Sequence, residues 1–297
     1  MRYTKQPLTI TEQISILKQR GLIIDNEENA CHILSYVSYF RLASYWRIME
    51  INSHPHIFRD GSHFQYAVDL YSFDSELRSL LYSALQHIEV AVRAKVGQYF
   101  ASAYGPFWFM DKSIALNEDL FHQNLDVLRK EVLRSHDDFI LEHFRKYDSP
   151  EMPPSWKTLE FASFGTLSKL YKNLKDYKIL KQVARDFNIP QHEYLRNWLE
   201  GLTVVRNRCA HHARVWNASF AVRPKITHGM RKKWISNLEF PHNRLYAQLC
   251  CISYMLNSII PDNSFVSDFK NLLKKYPNIE ISAMGIPSGW DNEPLWC

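Results

Sequence analysis

The residues 204–217, VVRNRCAHHARVWN, place two adjacent histidines, His211 and His212, after Arg206 and Arg208 and before Arg214, with no acidic residue among them. Arginine beside histidine suits cleavage of an RNA phosphodiester. The ribose 2′-hydroxyl attacks its own phosphate when a base takes its proton and an acid protonates the leaving 5′-oxygen. Histidine titrates near neutral pH and serves in either role. Arginine stabilises the charged five-coordinate phosphorus with paired donors. The reaction requires no metal. In-line attack is best served by two groups on opposite sides of the phosphate, and a homodimer pairing two copies of the motif would supply them.

On a helix, Arg206 and His211 are separated by about 140° and about 7.5 Å along the axis. They do not share a stripe, but a long arginine side chain lets both flank one cleft. Asn207 and His211, an i, i+4 pair, fall on nearly one face, where the amide could orient the imidazole. Spacing and charge leave three readings open: an RNA-cleaving site, a phosphate-binding helix without catalysis, or a helix terminus where basic residues meet the dipole. Arginine followed by histidine at similar spacing recurs at Arg47 with His54 and at Arg223 with His228. The first pair runs into an expected loop, and the second contains Pro224, a helix breaker.

Other chemistry finds less support. There is no H-E-x-x-H, and Cys209, His211 and His212 are too crowded for a tetrahedral zinc site. No phosphate-loop or dinucleotide glycine pattern occurs, and SFGTLSK at 163–169 carries a single glycine inside a helical pattern. Cys209 falls on an apolar stripe, which argues against a nucleophile. Neither metal nor cofactor is expected.

Charge points to a polyanion. The net charge of +5 is modest, but no Asp or Glu occurs from Gly201 to Leu238. That segment holds Arg206 and, as candidate RNA-binding residues, Arg208, Arg214, Arg223, Lys225, Arg231, Lys232 and Lys233. Aromatic residues make up 14%; most are expected between helices, with a few free for base stacking. The five cysteines form no C-x-x-C, which fits a reduced chain. MRYTKQPLTITEQ lacks the apolar core of a signal peptide, and no apolar run reaches membrane-spanning length. A soluble cytoplasmic protein is expected.

The elements that must position the motif read as helices throughout, so the fold class is all-α. TITEQISILKQRG opens with a capping box, Thr9 with Glu12, and closes at Gly21. DNEENACHILSYVSYFRLASYW reads as one helix, and residues 51–64 as a connecting loop with Pro55 and Gly61. The longest helix is expected from about Ala67 to Tyr104, with Leu77, Leu80, Leu81, Leu85, Ile88, Val92 and Val96 as its buried stripe. An amphipathic stretch follows to about Lys146, then the loop SPEMPP at 149–154. SWKTLEFASFGTLSKLYKNLK reads as a further helix, whose lysines 169, 172, 175, 178 and 181 would wind around its axis. The motif ends a helix starting near Gln191, and two more helices cover about 242–260 and 264–276. Tyr3 to Ile10 could be extended.

The chain resembles the Abi proteins of the AbiD/AbiF type, bacterial abortive-infection proteins with a HEPN domain. The resemblance rests on five segments in order: 3–25, ILSYVSYFRLASYW at 33–46, YSFDSELRSLLYSALQHIEVAVRAKV at 71–96, PPSWKTLEFASFGTLSKLYKNL at 153–174, and 204–217. It implies a single all-helical domain, a HEPN-like bundle over about 65–276 with an N-terminal helical extension over about 1–60. It also implies a dimeric, metal-independent endoribonuclease of phage defence, acting in a toxin–antitoxin manner and restrained by a small non-coding RNA.

Carried over, the motif is Arg206 on the phosphate, Asn207 orienting, and His211 as acid and base. His212 also fits the permitted spacing. Arg208 and Arg214 would hold flanking phosphates. Glu89 and Arg93, at i, i+4, form either an intrahelical ion pair or a group beside the motif helix that orients Arg206 or an RNA phosphate. Tyr36, Tyr39, Arg41 and Trp46 fall in a family motif and either pack the N-terminal helices or line an RNA surface. The alternative function is a non-catalytic RNA-binding protein that complexes a small non-coding RNA.

Overall fold

The computed structural model describes Arg2 and residues 6–297. Among these residues the chain forms twelve α-helices and a single two-stranded sheet, and the fold is all-α. It divides into two compact units, residues up to 77 with 271–279, and residues 78–270 with 280–297.

In the first unit, α1 (Ile10–Gln19) starts with the expected capping box. The Thr9 hydroxyl accepts from the Glu12 N–H at 3.3 Å, and the Glu12 carboxylate accepts from the Thr9 N–H at 2.7 Å. Tyr3, Thr4 and Lys5 of the segment expected to be extended lie outside the described residues, and residues 6–9 form no strand. The single helix expected over 25–46 is two, α2 (Glu27–Tyr36) and α3 (Tyr39–Trp46). Val37 adopts extended backbone, and the Ser38 side chain accepts from the Arg41 N–H, capping α3. The expected loop after α3 contains a hairpin, β1 (Glu50–Ser53) against β2 (His56–Phe58), which tucks Phe58 into the core. The helix α4 (Phe64–Tyr104) follows. Leu17, Leu34, Leu42, Trp46 and Phe73 fill the interior of this unit.

The second unit takes the rest of α4, whose Leu77-to-Val96 stripe is buried as expected apart from the half-buried Leu80. It continues with α5 (Glu118–Leu133), α6 (Asp138–Lys146) and the short α7 (Ser155–Thr158). Here too one expected helix is broken. After a 3-10 turn at Leu159–Phe161 the backbone extends at Ala162, and Ser163 caps α8 (Phe164–Asn173) by accepting from the Thr166 N–H at 3.2 Å. The lysines at three-residue intervals therefore share no single helix axis: Lys169 and Lys172 lie on α8, Lys178 and Lys181 on α9 (Tyr177–Asp186), and Lys175 between them.

The motif helix is α10 (His192–Ala210), with Leu195, Trp198, Leu199, Leu202, Val205 and Cys209 buried. It packs against α8, α9 and α11 (Leu245–Ile259). Residues Leu245 to Leu256 of α11 are all buried, as expected of a helix enclosed on every side. α12 (Phe265–Lys275) closes the series. Among the described residues no helix is long and apolar enough to cross a membrane.

Candidate functional site

The candidate site lies at the C-terminal end of α10, within the second unit. Its apolar stripe fixes the rotation of the helix, so the intervening Arg206 and Asn207 face outward. Arg206 is half-buried and its Nε lies 3.4 Å from Oε2 of Glu89 on α4. Glu89 is buried, and its other oxygen, Oε1, accepts from Nη2 of Arg93 at 3.0 Å. The same Arg93 nitrogen donates to the carbonyl of Ala162 at 3.1 Å, and Nη1 lies 3.8 Å from the exposed Glu160. One carboxylate therefore spans two guanidinium groups. The extended backbone at Ala162, at the break before α8, supplies the carbonyl that fixes the inner one.

The i, i+4 ion pair of Glu89 and Arg93 forms, and its carboxylate also reaches Arg206. Arg206 Nη1 donates to the Asn207 side-chain oxygen at 3.3 Å, while its Nε makes an ion-pair contact with Glu89 rather than a hydrogen bond. Nη2 has no partner among the described residues. It leaves a donor edge for an anion, with the local charge of the Glu89–Arg93–Arg206 group at +1.

Asn207 does not bond the imidazole as its spacing suggested. Its side-chain oxygen accepts from Arg206, and its backbone carbonyl accepts from the His211 N–H at 2.9 Å. The His211 ring is exposed. It follows the last residue of α10 as the C-cap, so imidazole and guanidinium emerge from one helix end.

The adjacent histidine is held differently. His212 has φ +55°, a left-handed conformation that costs a non-glycine residue about 1 kcal/mol. Its N–H donates to the Cys209 carbonyl at 3.1 Å, and the Ala213 N–H to the Arg208 carbonyl at 2.8 Å. This pair of bonds is the Schellman closure of a helix, with histidine where glycine is common.

The remaining basic residues fall into two groups. Arg208 turns inward: its Nη1 donates to the Arg214 carbonyl at 2.9 Å, and its guanidinium lies 5.4 Å from the centroid of Phe220. It braces the turn, and Arg214 beside it is half-buried. By contrast, Arg223, Lys225, Arg231, Lys232 and Lys233 are exposed along a segment without regular structure. That segment is nonetheless pinned. The Asn197 amide donates to the Arg223 carbonyl and accepts from the Lys225 N–H, and Trp198 Nε1 donates to the Lys225 carbonyl. The Tyr254 hydroxyl accepts from the N–H groups of Arg231 and Lys232, and Trp198, Trp234 and Tyr254 pack as an aromatic cluster beneath.

Sequence reasoning missed this anchoring and the plug behind the motif. Val215 and Trp216 are buried, Trp216 Nε1 donates to the Glu280 carbonyl at 3.2 Å, and Asn217, at φ +48°, accepts from Arg244. The run from Val215 to Asn217 within the motif was the available signal. Chemically, the arrangement offers a half-buried guanidinium with one open edge, an exposed imidazole and a basic surface held in place.

An all-helical chain with these groups at one helix end is the class that fold and site define. The sequence pattern of the Abi-like protein family matches residues 32–217, more than half of the chain and all of the motif. The chain belongs to the Abi-like protein family, and membership suggests abortive-infection defence against phage. No match occurs among curated proteins or among solved structures.

Proposed function

We propose that the chain is a metal-independent endoribonuclease of the HEPN type, acting in phage defence. The observation that carries this reading is Arg206: Glu89 holds its Nε, and its free edge emerges from the helix end that bears the exposed His211. Arg206 binds the scissile phosphate. His211 acts as base or acid in the in-line step, in which the 2′-oxygen bonds to phosphorus as the bond to the 5′-oxygen breaks. The proton leaves the 2′-oxygen to the base, and the acid protonates the 5′-oxygen. The products carry a 2′,3′-cyclic phosphate and a 5′-hydroxyl.

A second His211, from a second copy of the chain, supplies the group on the opposite side of the phosphate. Single-stranded RNA, such as a tRNA loop, is the substrate class. The exposed cations from Arg223 to Lys233 hold its flanking phosphates.

The test uses purified protein stripped of nucleic acid and incubated with total cellular RNA in EDTA, beside His211→Ala. Cleavage by the parent alone, with cyclic-phosphate ends, is expected. Equal cleavage by His211→Ala would overturn the assignment.

The pinned basic segment supports a second reading, an RNA-binding protein that complexes a small non-coding RNA without cutting. Tight, steeply salt-dependent binding by both proteins with no fragments from either would favour it.

A further inference from the structure

The first unit carries a groove of about 1210 Å³, well apart in sequence from the motif, between the start of α1, α3 and the β1–β2 hairpin. Trp46 and Ala43, both buried, form its floor. Tyr39 stands edge-on to Trp46 with ring centroids 5.0 Å apart. Phe40, the next residue of α3, also lines the groove, yet 79% of its surface is exposed. The buried face of α3 carries Leu42, Ala43, Tyr45 and Trp46, so Phe40 is left to the solvent side.

Cations stand among these rings. Arg20, the residue that caps the C-terminal end of α1, donates to the Tyr39 hydroxyl at 3.0 Å, which fixes guanidinium and ring together. Arg47, at the end of α3, is exposed and has no carboxylate partner among the described residues. The one carboxylate lining the groove, Glu50, is taken up by His56 Nδ1 at 2.8 Å. His54 adds a further ring to the lining.

We infer that this groove binds single-stranded RNA, with bases stacked on Phe40 and Tyr39 and phosphates paired with Arg20 and Arg47. Rings that offer stacking faces beside unneutralised arginines form the chemistry by which single strands are held. Small-molecule pockets span roughly 300–1,000 Å³. The larger volume here fits a run of several nucleotides better than one free nucleotide. All of the lining residues belong to the first unit, whereas Arg206 and His211 belong to the second. The inference therefore stands whether or not His211 cleaves RNA.

The experiment uses full-length His211→Ala protein in EDTA, so that the probe stays intact. The probe is a labelled oligoribonucleotide of about ten nucleotides, within the roughly 4–16 that a single-strand site covers, carrying one 4-thiouridine. Photo-cross-links mapping to residues 38–47 are expected. Phe40→Ala and Arg47→Gln should each weaken binding tenfold or more, with circular dichroism and melting unchanged because both side chains are exposed.

Cross-links confined to residues 204–233, or unchanged affinity in both variants, would overturn the proposal. So would competition by adenosine monophosphate as effective as competition by the unlabelled oligomer, since the ligand would then be a single nucleotide. Cleavage by the parent protein is read separately. Its absence, with groove cross-links intact, would sink the nuclease reading and leave this one standing.

Discussion

Glu89 gives one oxygen to each of two arginines, but the two are not equivalent. The Arg93 side chain is 10% exposed and also bonds the Ala162 carbonyl, whereas the Arg206 side chain is 26% exposed. Glu89→Ala leaves the Arg93 guanidinium with only the Ala162 carbonyl and the exposed Glu160, and the expected loss is about 3 kcal/mol, the low end for breaking a buried pair. Arg206→Ala leaves Glu89 paired with Arg93, and a smaller loss of about 1 kcal/mol is expected, because Arg206 is the more exposed partner and water screens it. Urea denaturation of the two variants checks this; equal losses would make Arg206 a structural residue and remove it from the phosphate. The two histidines separate in the same way. His212→Gly removes the cost of the left-handed backbone, a gain of up to about 1 kcal/mol set against the loss of its side-chain interaction, and should keep RNA cleavage near the parental rate. His212→Val should destabilise by about 1–3 kcal/mol at that φ. Loss of cleavage in a stably folded His212→Gly would instead transfer the acid–base role to His212.

At the scale of elements, α10 is set against α11 by Gly201. A β-carbon there would sit 2.9 Å from the Gln248 side-chain amide, which is buried and donates to the Val222 carbonyl at 3.1 Å. Gly201→Ala should therefore cost about 1–3 kcal/mol through overpacking, less about 1 kcal/mol that alanine gains over glycine inside a helix. Adding Gln248→Ala should return part of it, a non-additivity that a double-mutant cycle in denaturant would read; additive losses would mean the two residues do not meet. Such a contact is invisible in sequence, where Gly201 is only a weak helix former inside a strong pattern. What was legible followed from periodicity and caps: the Leu77-to-Val96 stripe, the apolar face of α10, and Thr9 with Glu12. What was not legible were breaks within helical patterns. Ser38 and Ser163 cap new helices at points where the apolar spacing continues across the break, so the period alone shows one helix. The site divides likewise. Arg206, His211 and Glu89 could be picked out by residue type, but the Ala162 carbonyl and the inward turn of Arg208 depend on segments distant in sequence.

For the whole molecule, two buried histidines set how stability responds to mild acid. His143 on α6 and His192 at the start of α10 both have pKa values below the ordinary 6.5, because burial strips water from the charged ring. Lys157 adds to the depression at His143, and Arg196 and Lys181 add to it at His192. The Glu193 carboxylate, 3.0 Å from His192 Nδ1, pulls the other way, but it is 49% exposed and does not prevail. A histidine with a lowered folded-state pKa takes up protons more readily when unfolded. Its contribution is thus fully present above about pH 6.5 and is lost as pH falls through the folded value. Glu76 acts in a separate window: the Lys275 hydrogen bond holds its carboxyl below 4.5, so its contribution is present above that value and fades only at lower pH. The melting temperature should therefore stay level from pH 8 to about 7 and decline from about 6.5 to 5, before the carboxylates titrate. In the double variant His143→Gln, His192→Gln the decline over that interval should shrink, whatever the replacements cost at pH 8. An unchanged slope would mean that both rings take up protons in the folded state without loss, and that burial does not hold them neutral.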